Sequence, residues 1–542
     1  MTDTHYLAKD KLIEAMHGRS TTGRWDLLVS YKAEHLSNLL GQLWQKDRKT
    51  DILQHKDPEI AFGRRQAYNL NLGTPKLGFE STDVGVTASL TIPISGTVSV
   101  ELFIEEDDNK YAEKPYKVKE QIVAKDTYYL NISVPVKSLT GEASAADVDQ
   151  KAVLSGKVVS LGEQQDNKAH IILHFSSEKA TYSVDPVTKP AEGAPAVPVY
   201  LSEATQSIKK WFSSKENVNV VNYRLATVKA IKDPSDASAI LKPKSFIFVS
   251  NGDVLCIYIK TEGSDAEPGD PEAKFTNTDG STIRPIPEGS SASIIVSHRL
   301  LHEKVFLPRL QQYRKECGFT DVMDAEQVKQ QQQAMKLVGV DMPDPNKTVT
   351  WADNPKGFTY QFYLGGKFDV NMKSESSIWA QESIPTVKVS LDAAVTTLKI
   401  EDNSATFSHT HDTNFEWHAS SMGAAPVIIA PKPNKGILTT TLAQTSTAAK
   451  VKDNSVIAID LSIEAKSFTL TGKKPQHDTT YLAEGVKNAK VDFSPISLKS
   501  PNLNFIAAES VLAPGQTIVN VKSIHMPYDL ILVGEMVDKI TE

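Results

Sequence analysis

Gly23-Arg24-Trp25-Asp26-Leu27-Leu28-Val29-Ser30 is followed by Tyr31-Lys32-Ala33-Glu34-His35-Leu36-Ser37-Asn38-Leu39-Leu40-Gly41-Gln42-Leu43-Trp44. The first segment is a short apolar run, typical of a buried strand. In the second, the apolar residues recur at the spacing of one helical face: Leu36, Leu39, Leu40, Leu43 and Trp44. The stretch therefore predicts a strand that leads into an amphipathic helix. We expect Ser30 to cap this helix and Glu34 to lie at its positive end.

The pattern returns near the middle of the chain, in Ser293-Ile294-Ile295-Val296-Ser297-His298-Arg299-Leu300-Leu301-His302-Glu303-Lys304-Val305-Phe306-Leu307-Pro308-Arg309-Leu310. Aligning Ser30 with Ser297 places Leu27, Leu28 and Val29 on Ile294, Ile295 and Val296, and Leu39, Leu40 and Leu43 on Phe306, Leu307 and Leu310. The alternative is a chance match, because an apolar strand before an amphipathic helix is common. The offset between Ser30 and Ser297 is close to half the length of the chain, and this position favours two related structural units.

The composition narrows the class of protein. A chain of 542 residues exceeds one ordinary core and predicts about two to four structural units. The net charge of −7 provides no basic surface for a phosphate backbone, so we expect no nucleic-acid partner. The only cysteines, Cys256 and Cys317, lie in apolar surroundings and exclude a disulfide framework.

No segment looks like a membrane or export signal. The first 20 residues carry charges throughout, unlike a Sec signal peptide, and no later apolar run is long enough to span a bilayer. We expect a soluble protein that is cytoplasmic or released without a Sec signal peptide.

Most of the remaining chain shows the two-residue apolar alternation of antiparallel strands with one face in a core. The segments are 84–92, 97–102, 130–136, 395–400, 457–463 and 517–524. Asn251-Gly252, between two β-rich runs, predicts a tight hairpin over 245–259. Residues 201–212 place Ile208 and Trp211 on a further helical stripe, and segments near 140–150, 185–198 and 262–291 predict loops.

Catalytic motifs are absent: the sequence has no phosphate-binding glycine loop, no nucleophile elbow and no paired-cysteine metal site. One cluster could carry chemistry. On a strand, His409 and His411 would point to the same face as two metal ligands, with Asp412 and Glu416 completing the shell. The competing interpretation is a polar strand rim, which we favour because spacing fixes no third ligand. A dyad of Cys317 with His298 or His302 is a weaker alternative, since that helix reads as packed. We therefore expect no cofactor and no enzyme activity.

Two motifs carry a resemblance to a known family. Gly23-Arg24-Trp25-Asp26, before an apolar strand and a helix, resembles the Gly-Trp-Asp opening of the forty-seven-kilodalton (P-47) proteins found beside clostridial neurotoxin genes, with Arg24 inserted. The segment 293–308 resembles that family's central apolar strand and its helix ending in Leu-Pro. About forty positions carry the resemblance specifically, and the strand-rich order extends it over most of the chain.

The resemblance implies a TULIP (tubular lipid-binding) fold, in which curved antiparallel sheets wrap long amphipathic helices. The strand and helix patterns agree with such an α+β, strand-rich class, arranged as tandem modules over 1–290 and 291–542. The resemblance then implies a lipid or other hydrophobic ligand, or contact with membrane lipid headgroups. Candidate groove residues are Leu36, Leu39, Leu40, Leu43, Trp44, Ile208, Trp211, Leu300, Phe306, Leu307 and Leu310, and Trp25 and Asp26 form the family motif.

Two alternatives stay open. The first is an accessory or interaction component of a toxin or multi-protein assembly, whose protein partners replace the lipid. The second is a metal-dependent enzyme that uses His409 and His411. A helix packed solidly on a sheet gives the same sequence pattern as a helix beside a tunnel.

Overall fold

The computed structural model describes the following residues of the chain. They are 6–47, 52–57, 60, 62–82, 85–107, 110–135, 140–143, 159–160, 168–174, 180–187, 197, 201, 204–213, 222–229, 240–241, 243–261, 264, 269–270, 272–308, 310, 329–330, 333, 350–354, 357–370, 387–417, 434–447, 449–452, 456–463, 496–499, 503–504 and 518–538.

Strands dominate these residues, and their pairings are antiparallel. The helices are α1 (Lys9–Met16), α2 (Ala33–Asp47), α3 (Ala204–Ser213) and α4 (His298–Leu301), which continues as a π-helix (His302–Phe306). The strands up to residue 261 are β1 (Leu27–Lys32), β2 (Ile52–Lys56), β3 (Arg64–Leu72), β4 (Lys76–Thr82), β5 (Gly85–Leu102), β6 (Glu105–Asp107), β7 (Lys110–Tyr111), β8 (Lys117–Pro135), β9 (Thr140–Ala143), β10 (Val159–Ser160), β11 (Lys168–His174), β12 (Thr181–Pro186), β13 (Asn222–Lys229), β14 (Pro243–Asn251) and β15 (Val254–Thr261). The later strands are β16 (Ala292–Val296), β17 (Thr350–Asn354), β18 (Gly357–Val370), β19 (Val387–Glu401), β20 (Ser404–Trp417), β21 (Asn434–Thr447), β22 (Ala449–Lys452), β23 (Val456–Ile463), β24 (Ile496–Lys499), β25 (Leu503–Asn504), β26 (Val519–His525) and β27 (Leu530–Met536).

A seven-stranded sheet joins the two halves of the chain, in the order β10-β14-β15-β1-β16-β27-β26. Its two central strands are the repeated segments of the sequence: Leu28 pairs with Ile295, Leu27 with Val296, and Val29 with Ile294. The alignment matches Leu27 to Ile294 and Val29 to Val296, so a half-turn about the Leu28–Ile295 pair exchanges the two strands. The hairpin β14–β15 flanks β1, and β26–β27 flanks β16 in the equivalent place. The two repeated segments therefore occupy equivalent places in the central sheet.

Both faces of this central sheet are covered, because its strands alternate between two separate apolar clusters. One face carries Leu28, Cys256 and Ile295, and it lies under α1 and the segment 273–286. The predicted loop near 262–291 therefore contributes buried side chains, among them Phe275 and Ile286. The other face carries residues such as Val29 and Ile294, and it shares one continuous core with α2, α3 and α4.

The second sheet is N-terminal, with the order β12-β8-β5-β3-β2 and with β4 paired to β5. Its longest strand, β5, pairs with β4 over its first half and with β3 over its second. The register shifts between Ile94 and Gly96, where a Cβ on Gly96 would lie 2.2 Å from the Asn69 carbonyl oxygen. Gly96 has a φ of +132°, so only glycine fits this bulge, and bulges of this kind bend a sheet.

The C-terminal half adds a five-stranded sheet, β17-β18-β19-β20-β21, and a smaller one around β23. A three-stranded sheet, β13-β11-β9, and the short pair β6–β7 complete the described strands. The predicted strand-rich α+β class with antiparallel sheets is confirmed. The division into 1–290 and 291–542 stays a prediction, and the central sheet takes strands from both sides of that boundary.

Three local predictions differ from the structure. Ser30 lies inside β1 and its hydroxyl faces Cys256 Sγ at 3.8 Å, so it does not cap α2, which begins at Ala33. The predicted hairpin is present, but Asn251 pairs with Val254 and the two-residue turn is Gly252-Asp253. Part of the loop predicted near 140–150 is strand β9, and residues 144–150 lie outside the described part of the chain.

Candidate functional site

The N-terminal sheet is closed on itself by α3. This helix contacts β12 at one edge of the sheet and β2 at the other. Trp211 Nε1 donates to the Gln54 carbonyl of β2 at 3.0 Å, while Lys209 Nζ donates to the Ala180 carbonyl beside β12 at 2.9 Å. The rings of Phe212 and Tyr182 stack with centroids 6.1 Å apart. Because one helix binds both edges, the sheet surrounds an interior, which we call the N-terminal tube.

The sequence of α3 explains how it performs this closure. Its apolar residues, Ala204, Ile208 and Phe212, recur every four positions and are fully buried. Between them lies Ser207, whose hydroxyl donates to Asp57 Oδ1 at 2.6 Å, just beyond β2. The helix therefore presents an apolar stripe to the interior and polar side chains to the two edges.

The second helix of the tube, α2, follows β1 without a break and packs against β4. The Ser37 hydroxyl accepts the Leu77 amide of β4 at 3.0 Å, and Leu36 and Leu39 are buried in the shared core. The described residues that line the interior are aliphatic or aromatic: Leu36, Leu39, Leu53, Tyr68, Leu70, Ile92, Ile94, Val98, Leu130, Ile132, Val184, Ala204, Ile208, Trp211 and Phe212. Such a lining can hold an apolar molecule.

The motif residues Trp25 and Asp26 lie immediately before β1, at one end of the central sheet, rather than in the tube. The indole of Trp25 packs on Gly269, where an added Cβ would come within 2.3 Å, and its Nε1 donates to the Asp270 carbonyl. The buried carboxylate of Asp26 accepts the Thr261 amide at 2.9 Å and Arg299 Nη2 at 2.9 Å, and lies 3.4 Å from Lys260 Nζ.

Lys260 is 3% exposed, and burial lowers the pKa of its amine while the Asp26 carboxylate opposes that shift. Cys256 lies four residues earlier on β15, and burial raises the pKa of its thiol to about 12. The thiol therefore stays protonated at neutral pH and cannot act as a nucleophile there.

A second buried carboxylate, Asp529, lies at the same end of the central sheet. It accepts the backbone amides of Thr21 at 2.6 Å and His298 at 2.8 Å, and it lies 3.1 Å from His298 Nδ1. These contacts join the start of the chain, α4 and the strand β27. We interpret the Asp26 and Asp529 clusters as structural, because each is enclosed by its own partners.

The helix after β16 is anchored differently from α2. Ser297 caps it by accepting the Leu300 amide at 3.2 Å, and the wider π-helical turn brings His302 and Phe306 against Tyr360 of β18. His302 Nδ1 lies 3.1 Å from the Tyr360 hydroxyl, and the two rings stack. The polar contact fixes the helix on the C-terminal sheet.

The predicted groove residues divide into three groups. Leu36, Leu39, Ile208 and Trp211 are buried in the N-terminal tube; Leu300, Phe306 and Leu310 are buried, and Leu307 is half-buried, beside the C-terminal sheet. Leu40, Leu43 and Trp44 lie on α2, but their side chains are outside what the structure describes. Sequence reasoning missed Asp529, Lys260 and the Tyr360 contact, which depend on long-range pairing.

For the predicted metal site at His409 and His411, the structure describes the backbone only. His409 and His411 lie on β20 and occupy the same face, opposite Leu442 and Thr440. Their side chains, that of Asp412 and the whole of Cys317 are outside the described residues. Among described side chains, no group of three potential ligands could hold a metal ion. None of the described helices is long and apolar enough to cross a membrane.

Comparisons with known proteins return structures and no sequences: neither a protein-family model nor a curated protein matches the chain. P47 of Clostridium botulinum A2 matches with a TM-score of 0.45 and 11% identity, over 95% of this chain and 98% of that one. P47 of Clostridium botulinum E1 matches with a TM-score of 0.43 and 10% identity, over 96% of this chain and 100% of that one. A lipopolysaccharide binding protein matches with a TM-score of 0.23 and 10% identity, over 95% of this chain and 99% of that one. The two P47 structures belong to the family that the two sequence motifs of this chain resemble.

Proposed function

We propose that this chain is a non-enzymatic binding protein that holds a lipid or another apolar molecule inside the N-terminal tube. One observation carries the proposal: α3 bridges both edge strands, so the bent sheet encloses an interior with an apolar lining. Ligand sites for apolar molecules are concave and mostly hydrophobic, with few polar groups. Each Å² of apolar ligand surface removed from water would contribute roughly 25 cal/mol.

The non-enzymatic part of the proposal rests on the chemistry of the lining. Aliphatic side chains and the rings of phenylalanine and tryptophan bind apolar surface but transfer no protons, and the titratable group among the described lining residues is the phenol of Tyr68, which donates a hydrogen bond to Gln66. The buried carboxylates Asp26 and Asp529 have defined partners at one end of the central sheet and do not lie in the tube. A partner molecule would therefore be held and released unchanged.

Mass spectrometry of the purified protein, native and after organic extraction, tests the proposal. We expect a co-purifying lipid or similar molecule at near-stoichiometric amount. Ala204→Leu enlarges a fully buried α3 side chain and should cut the bound amount by about tenfold. Ala15→Leu makes the same change on α1, in the other apolar cluster, and should leave the ligand in place.

The two variants also separate a tunnel from a solid core. Overpacking a filled core costs about 1–3 kcal/mol, which we expect for Ala15→Leu. For Ala204→Leu the cost should be smaller, because the new side chain takes space that a ligand vacates. A protein that stays empty after incubation with mixed liposomes contradicts the proposal and favours the assembly alternative, for which a pull-down of protein partners is the next experiment.

A further inference from the structure

The N-terminal sheet has an end that points away from the central sheet. The near end is fixed by the Ser250 hydroxyl of β14, which donates to the Phe79 carbonyl of β4 at 3.2 Å. Phe79 pairs with Ala88 of β5, whereas the far end of β5 is Leu102, fourteen residues further along the strand. At that far end Arg64, Leu102 and Lys117 lie side by side on three adjacent strands. We call it the distal end.

Three cations share one face of the sheet at the distal end. Tyr68 and Val98 point into the core and are buried. Side chains two residues apart on a strand share a face, so Arg64, four residues before Tyr68 on β3, lies on this face. Lys119 and Lys117 of β8 lie on it as well, because they pair with Val100 and Leu102, two and four residues after Val98 on β5. All three are exposed, and the structure describes no ion pair for any of them. On the opposite face, by contrast, Arg65 and Lys56 both pair with Glu101 at 2.8 Å.

Large apolar side chains project from the turns at the same end. Phe62 is 94% exposed and Tyr116 is 62% exposed, and Ile104 is exposed as well. Backbone bonds hold these turns together: the Phe103 amide donates to the Gly63 carbonyl and the Tyr116 amide donates to the Leu102 carbonyl, each at 2.9 Å. A single exposed apolar residue needs no explanation, but three on adjacent turns form a candidate contact surface.

We propose that the distal end docks on a lipid bilayer that contains anionic headgroups. Phe62 and Tyr116 enter the interfacial region, where aromatic side chains are favoured, and Arg64, Lys117 and Lys119 bind headgroup phosphates. The charge on the core-facing side selects this occupant over an uncharged protein surface. The inference goes beyond a ligand inside the tube, since docking requires no bound molecule.

The acidic residues of the neighbouring turn set the expected strength of docking. Glu105 and Glu106 are exposed at the same end and oppose an anionic surface. Docking should therefore weaken with added salt, and Glu105→Gln with Glu106→Gln should strengthen it. An attachment through apolar contact alone would not respond to these changes.

Co-sedimentation with vesicles tests the inference, using phosphatidylcholine alone and phosphatidylcholine with added phosphatidylglycerol. The wild-type chain should bind the second vesicles. Lys117→Gln with Lys119→Gln should weaken binding by roughly 25-fold, since each cation near an anionic surface is worth about a fivefold change. Phe62→Ser should weaken it by about tenfold.

Matched controls lie on the same sheet. Ile122 is 78% exposed but points to the opposite face of β8, so Ile122→Ser removes similar apolar surface without touching the docking face. Lys76→Gln with Lys125→Gln removes two exposed charges away from the distal end. Both controls should bind vesicles like the wild-type chain.

Equal loss in the controls, or unchanged binding in the distal variants, overturns the inference. A protein partner that requires Phe62 while vesicles do not would also overturn it. Lipid extraction from the same preparations keeps the two proposals apart. Bound lipid without distal docking refutes only the docking, and docking by a protein that extracts empty refutes only the ligand in the tube.

Discussion

The two repeated strand–helix junctions differ in how the helix leaves the central sheet. After β1, α2 begins at once and packs along β4 of its own N-terminal sheet. After β16, Ser297 caps a short α4, and the π-helical turn that follows carries His302 to Tyr360. Equivalent strands can therefore feed one helix that packs along the N-terminal sheet, where the Ser37 hydroxyl accepts the Leu77 amide, and another that the His302–Tyr360 contact fixes on the C-terminal sheet. The described side chains that α2 buries in the tube, Leu36 and Leu39, are apolar.

The largest expected effect is at the ion cluster that ties the junctions together. Asp26 immediately precedes β1 and pairs with Arg299 of α4, with Lys260 beside it. Asp26→Ala leaves a buried cation without its carboxylate and should lower the free energy of unfolding by about 3–5 kcal/mol. Urea denaturation measures the change. Asp253→Ala, which breaks a more exposed pair with Arg284, is the control and should cost several times less.

The next effect compares the two apolar stripes. Phe306→Ala should cost about 3–5 kcal/mol, because Phe306 is buried against Tyr360 in the C-terminal half. Leu39→Ala should cost less than the usual 2–5 kcal/mol when a ligand fills the space it vacates. Thermal unfolding of both variants, before and after lipid extraction, checks this. If Leu39→Ala and Phe306→Ala lower stability equally, both before and after lipid extraction, the apolar stripes of the two helices are packed alike.

The polar anchor of the second junction should have an intermediate effect. Tyr360→Phe removes the hydroxyl that lies 3.1 Å from His302 Nδ1 and leaves a buried imidazole with one contact fewer. We expect a loss of about 1–3 kcal/mol in the free energy of unfolding. A neutral result would mean that the π-helical turn is held by ring stacking alone.

The repeated serines give a smaller and sharper contrast. Ser297→Ala removes a helix cap and should cost about 1 kcal/mol. Ser30→Ala, at the aligned position, should cost distinctly less, because its hydroxyl makes only a 3.8 Å contact with the Cys256 sulfur. The denaturant midpoints of the two variants measure the two stability losses. A larger loss for Ser30→Ala would contradict the assigned roles.

The smallest effect is a pH dependence at Lys260. Burial lowers the pKa of this lysine below its ordinary value of 10.5, so the unfolded chain holds the proton to higher pH than the folded chain. Stability should therefore rise with pH through this window, relative to a Lys260→Gln variant. Denaturation curves of the wild-type chain and the Lys260→Gln variant at several mildly alkaline pH values test this direction. A stability difference between the two that falls as the pH rises would contradict the prediction.

The sequence could predict elements but not their partners. An apolar run identified β1, and two- and three-to-four-residue periods identified α2, α3, β5, β8, β19, β23 and β26, because periodicity reflects which face is buried. Pairing partners were invisible, since Leu28 meets Ile295 and Ile295 meets Ile531 across long stretches of chain. The ionic cluster around Asp26 could not be predicted for the same reason, because its cations, Lys260 and Arg299, are far from Asp26 in the sequence.

The candidate site was predicted in part. Helical stripes identified Leu39, Ile208 and Trp211 as inward-facing, but the closure of the sheet depends on α3 reaching both edges. No local pattern encodes that reach, because it follows from the bend at Gly96 and from strand order. The error at Ser30 has a similar cause: strand pairing extended β1 past the residue expected to cap the helix.

Photo-crosslinking with a lipid that carries a diazirine near the end of its acyl chain tests the central claim most directly. We expect labelled peptides from the tube lining, including Ile132 of β8 and Ile208 of α3, and loss of that labelling in Ala204→Leu. Labelling confined to the turns around Phe62 or to the C-terminal half, and unchanged in Ala204→Leu, would contradict a ligand inside the N-terminal tube.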